Sequence, residues 1–156
     1  MSNSHEKSPP TESEISKGAL ISGVINAVIN GVIQYFLLSG HERIPLTVDG
    51  ITNETKTVFG SAVPLAVSLA MILTWVAYLN VKSSKPKFFP GFLWMTVKHG
   101  FFALGVVITF AVLWQRIFGS IQVPVMAAVM ILGLVAGAVS AIVNYMTIRA
   151  AVAPRA

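Results

Sequence analysis

Four stretches of the chain are long, apolar and nearly free of charge: residues 18–39, 58–81, 93–117 and 122–148. The first, GALISGVINAVINGVIQYFLLS, has no charged residue. At about 1.5 Å of rise per residue, a helix of that length crosses a hydrocarbon core of about 30 Å. The pattern predicts an all-α protein, a bundle of four transmembrane helices over residues 18–148. A polar, flexible tail occupies residues 1–17, a long connection residues 40–57, and a short basic tail residues 149–156. The third stretch is the least regular, because its uncharged core from Gly100 to Trp114 gives only about 22 Å of helix. Placing Trp94 and Trp114 at the two interfaces restores the length and leaves Lys98 and His99 about a turn inside.

The apolar stretches are not uniform around their axes. In the first, Ser22, Asn26, Asn30 and Gln34 recur every four residues, and beside them run Gly23, Ala27 and Gly31. Four-residue spacing keeps each set on one side of a helix. Lipid disfavours a polar and small-residue face, so this side is expected to meet protein. In the fourth, Gly133 and Gly137 form a GxxxG pair with Ala141 one turn on, flanked by Ala136, Ser140 and Asn144. The first and fourth helices are therefore expected to pack through small residues, with the amide row bonding across helices. The same row could alternatively line a path for a polar solute or ion. In the third, Lys98, Gly105, Thr109 and Arg116 fall near one face. The second has Ala62, Ala66 and Ala70 on one side and Pro64 near its start, where Ser61 or Ser68 could satisfy freed backbone.

Between these stretches the pattern changes. Ile44, Leu46 and Val48 alternate before Asp49-Gly50, and Ile51-Thr52 follows, which predicts a small hairpin over the bundle. Asn53-Glu54-Thr55 fits the glycosylation pattern, a short and common match. Lys82, Lys85 and Lys87 with Phe88, Phe89 and Phe92 read as a membrane-surface anchor, and Trp75 and Tyr78 as part of an aromatic belt.

Composition agrees with a lipid bilayer as the surroundings: 54% of the residues are hydrophobic and 11% charged. The net charge of +5 is scattered over segment ends, without a basic face or aromatic platform, so nucleic acid is not expected as a partner. Cysteine is absent, which removes thiol chemistry and disulfides. All six acidic residues precede position 55. No predicted span therefore carries a carboxylate, which disfavours a proton pump and leaves no acid to orient a catalytic base. No nucleophile elbow, phosphate-cradling glycine loop or cofactor fingerprint occurs, and His41 with Glu42, Asp49 and Glu54 lacks metal-ligand spacing. Neither enzyme chemistry nor a cofactor or metal is expected. Lys98 and His99 could form a protonatable gate or hold an anionic headgroup; otherwise Lys98 snorkels and His99 bonds to a neighbour. Arg116, beside Gln115, suits an interface anchor whose charge could meet an acid of the 40–57 loop.

Lys7, Lys17, Lys82, Lys85, Lys87, Lys98, Arg149 and Arg155 fall on the side of the two tails, against Arg43, Lys56 and Arg116 on the other. The positive-inside rule then places both termini in the cytoplasm. In size and span count the chain resembles the many small four-span proteins of bacterial inner membranes, some of them labelled permeases. Two functions fit: an accessory or assembly subunit, joining a second copy or another membrane protein through these faces, or a small oligomeric permease or channel.

Overall fold

The computed structural model describes residues 10–49, 56–80 and 88–152. Four helices dominate it: α1 (Glu12–Leu38), α2 (Val58–Asn80), α3 (Leu93–Phe118) and α4 (Val125–Val152). Each is long and apolar enough to cross a membrane. The 1–9 tail, Gly50 to Thr55 with the glycosylation pattern, and the Lys82, Lys85 and Lys87 cluster lie outside the described residues.

The ends of the helices follow local chemistry more than hydropathy. α1 starts at Glu12 rather than at residue 18, because Thr11 and Glu14 form a reciprocal capping box: the Thr11 hydroxyl accepts from the Glu14 N–H, and the Glu14 carboxylate accepts from the Thr11 N–H at 2.8 Å. Residues 12–17 are thus helix rather than tail, and Ile15 is buried. α2 is capped by Thr57, whose hydroxyl accepts from the Gly60 N–H at 2.9 Å. α3 ends where Gly119 takes φ +70°, a conformation open to glycine, and its N–H reaches the Gln115 carbonyl at 2.9 Å. Ser68 donates to the Pro64 carbonyl at 2.7 Å.

A two-stranded ribbon closes one end. β1 (Arg43–Leu46) pairs antiparallel with β2 (Ile121–Pro124), in register from Arg43 opposite Pro124 to Leu46 opposite Ile121. The alternation that predicts a strand holds, since Ile44 and Leu46 are fully buried. The second strand of the expected hairpin, Ile51-Thr52, lies outside the described residues; the partner that β1 meets is the short β-favouring run IQVP, which reads as the start of the fourth helix. α4 accordingly begins at Val125, not at residue 122.

The helices form an open row. α1 packs on α4, α4 on α2, and α2 on α3, whereas α1 and α3 make no extended contact. Burial follows that order: α2 and α4 bury 39% and 44% of their most apolar stretch, α1 and α3 17% each. Among the described residues α1 and α3 lie at opposite edges of this row, so the four helices do not surround one interior. At the end away from the ribbon, the start of α1 is tied to α4 by Tyr145, which donates to Glu12 at 2.8 Å and accepts from Arg149 at 3.3 Å.

Candidate functional site

α1 and α4 meet in a close seam. A Cβ added at Gly23 would lie 2.8 Å from the Gly137 carbonyl oxygen, and one at Gly137 would lie 2.9 Å from the Ala27 Cβ and 3.0 Å from the Gly23 oxygen. At Gly133 it would meet the Ala27 oxygen at 3.0 Å, and Ala141 packs its Cβ against Gly23. Only residues with little or no side chain let two backbones come this near. Gly31 sits beside Gly133 at the margin of the contact, with nothing within 4 Å of its own missing Cβ.

The polar row of α1 lies along this seam yet does not bond across it. Asn26 donates its amide to the Ser22 carbonyl and Asn30 to the Asn26 carbonyl, both at 2.9 Å and both within the helix. Bonds across helices were the expectation; back-bonding to the previous turn satisfies these amide N–H groups locally instead. Gln34 is 7% exposed and finds no partner among the described residues. On α4, Ser140 is completely buried and its hydroxyl has no hydrogen-bond partner, while Asn144 is half-buried.

Lys98 and His99 part company. Lys98 is exposed, its ammonium 5.7 Å from the centre of the Trp94 ring. His99 points inward between α2 and α4, where its Nδ1 lies 2.9 Å from the Thr74 hydroxyl and 3.4 Å from that of Thr147. Each threonine hydroxyl also sits 2.7 Å from a carbonyl one turn back, Ala70 and Val143 respectively. With their protons assigned to those carbonyls, both hydroxyls present lone pairs to the ring, and the tautomer that satisfies both is the one protonated on Nδ1. One imidazole N–H thus ties three helices together. The lone threonines Thr74 and Thr147 form no row in the sequence and give no periodic signal; the buried hydroxyls become visible only once the helices meet.

The polar side of α3 does not face the bundle at all. Lys98, Gly105, Thr109 and Arg116 are all exposed, and nothing lies within 4 Å of a Cβ built at Gly105. Its buried face is instead Thr96, His99, Gly100, Ala103, Val107 and Ala111. Arg116 is likewise not the residue that meets Asp49. Gln115 takes that place: its amide oxygen accepts from the Thr47 hydroxyl at 3.0 Å and from the Val48 N–H, and its amide nitrogen donates to Asp49 at 3.4 Å. Phe92, expected at the membrane surface, is fully buried, stacked on Tyr78 with ring centres 4.0 Å apart and set edge-on to Trp75. Trp114 buries its indole N–H without a partner among the described residues, between Phe110 and Phe118.

Because α3 and α4 both lean on α2 without extended contact, a wholly apolar groove of about 300 Å³ runs between them, past Phe59, Phe102, Val106, Phe110, Leu134 and Val139. Among the described residues no group of three His, Cys, Asp or Glu side chains could hold a metal ion. Comparison with protein-family models, with curated proteins and with solved structures gives no match.

Proposed function

We propose that this chain is a polytopic protein of a bacterial inner membrane, with both termini in the cytoplasm, acting as a non-enzymatic assembly or accessory subunit. Four apolar helices support the membrane setting, as do the large side chains exposed along their outer sides, such as Phe36 and Leu134, each 71% exposed. The charge count over the loops supports the orientation. An active reporter fused after Ala156 is expected only inside the cell; activity only outside would reverse it.

The observation that carries the subunit reading is the exposed face of α3. The small residues of α1 and α4 are used within the chain, whereas Lys98, Gly105, Thr109 and Arg116 mark a face that lipid disfavours and that no helix among the described residues covers. A second copy or another membrane protein laid on α3 would shield it. Purification in mild detergent followed by mass determination is expected to give an assembly larger than one chain, reduced to a monomer by Gly105→Leu. A wild-type monomer without partners would refute the proposal.

The permease reading has less support. The polar groups gather at the ribbon end around Gln115 and at the opposite end around His99, and the amide N–H groups of Asn26 and Asn30 are engaged with their own helix.

A further inference from the structure

Between α1 and α2, at the ribbon end, lies a second groove of about 420 Å³. The two helices each pack on α4 but make no extended contact with each other. Leu37, Leu38, Pro64 and Leu65 supply apolar walls, and Gln34, Lys56, Ser61 and Ser68 the polar lining. Two features distinguish it from a mere packing gap. Gln34 is nine-tenths buried and its amide, unlike those of Asn26 and Asn30, has no partner among the described residues. Lys56 is fixed at the mouth, its ammonium donating to the Leu37 carbonyl at 3.0 Å in the last turn of α1. That bond uses one of three donors and leaves two for a ligand.

We infer that this groove binds a net-anionic, phosphate-headed membrane lipid, with the phosphate at Lys56 and the glycerol ester region against Gln34 and Ser61. Among the described residues no carboxylate lines the groove, so the ammonium calls for an anion from outside the groove, and the positive N-terminal end of α2 adds to the attraction. Ser61 lies a little over one turn into α2 from Lys56, the depth at which ester carbonyls lie below a phosphate. Its hydroxyl and the Gln34 amide are the donors for those carbonyls. Ser68 is already tied to the Pro64 carbonyl and closes the polar part. A free inorganic anion would leave the leucine walls uncovered, and an uncharged amphiphile would leave the two ammonium protons unmet.

This inference rests on the bilayer setting proposed above, and recovery of the full chain only in the membrane fraction tests that setting separately. The full chain, purified in non-ionic detergent, is titrated with phosphatidylglycerol, with phosphatidylcholine and with inorganic phosphate, and bound lipid is read by native mass spectrometry. Phosphatidylglycerol is expected to bind one per chain and more tightly than phosphatidylcholine, and millimolar inorganic phosphate is expected not to displace it. Lys56→Gln should weaken phosphatidylglycerol about tenfold, the effect of losing one charge-assisted contact. Lys56→Arg should retain it, and Gln34→Leu should weaken it severalfold. Equal binding of the two lipids, displacement by inorganic phosphate, or wild-type affinity in both Lys56→Gln and Gln34→Leu would overturn the assignment. Should those variants fail to fold, lack of phosphatidylglycerol preference in the wild-type chain alone would do so.

Discussion

α1 and α3 are the two edges of the row, and each carries small and polar residues along one face. Their fates are opposite. On α1, Gly23 and Ala27 are turned onto α4 and meet its backbone at contact distance, whereas on α3 Gly105 and its polar neighbours are exposed, and nothing lies within 4 Å of a Cβ built at Gly105. The difference lies in the complement. α4 offers Gly133, Gly137 and Ala141 at the spacing α1 needs, while α2 meets α3 through a different side, built on Gly100, Ala103, Val107 and Ala111. A small, polar face identifies a surface that avoids lipid; only a matching face elsewhere decides whether the same chain covers it.

The sharpest break of that comparison is a pair of identical substitutions. Gly137→Val places a branched side chain where even a Cβ would lie 3.0 Å from the Gly23 carbonyl oxygen, and backbone cannot move aside as a flexible side chain can. It is expected to destabilise the fold by about 3 kcal/mol, at the upper end of overpacking effects. Gly105→Val meets open space and is expected to change monomer stability by less than about 0.5 kcal/mol. Unfolding in mild detergent measures both. Equal effects would mean that the edges are not different.

Next in size is the tie that holds α3 to the rest. His99 joins α3 to α2 and α4 through one buried N–H, so His99→Ala removes that bond and leaves a void behind it. A loss of about 2 kcal/mol is expected, combining a hydrogen bond with a cavity. The threonine hydroxyls remain bonded to their own carbonyls, so no orphan is created on their side. A loss under about 0.5 kcal/mol would show that the contact between α3 and α2 is purely apolar.

The legible part of this fold is the part written in long runs. Apolar length gives the four helices, and the spacing of Gly23, Ala27, Gly133, Gly137 and Ala141 gives the seam of α1 with α4. Single residues whose meaning depends on a distant partner are not legible in this way. Gln115 reads as a neighbour of Arg116, and its role as the anchor of Thr47 to Asp49 depends on a contact nearly seventy residues away. Phe92 follows Phe88 and Phe89 in a surface-like cluster, and only the fold puts it beneath Tyr78. The IQVP strand carries too few residues for its period to outweigh the Pro124 signal of a helix start.

Gln115 links α3 to the strap that continues from α1, and so adds a side-chain tie between the two edges beside the pairing of β1 with β2. Gln115→Ala leaves the Val48 N–H without its acceptor, and a loss of about 1–2 kcal/mol is expected. Faster hydrogen exchange confined to residues 43–48 and 121–124 would place the effect at the ribbon end, and unchanged exchange there would remove Gln115 from its role as a tie.

A further small effect separates the two rows of α1. If the amides held the seam, replacing Asn26 and Asn30 together by alanine would cost as much as the loss of two bonds between helices. Instead each donates to a carbonyl of its own helix that already serves the helical ladder. Alanine removes that back-bonding and is the stronger helix former, so the gain in propensity offsets lost contact with α4. The double substitution is expected to change stability by less than about 1 kcal/mol, well below the effect of the single change at Gly137. A larger loss than that of Gly137→Val would reverse the assignment, making the amides rather than the glycines the reason α1 lies on α4.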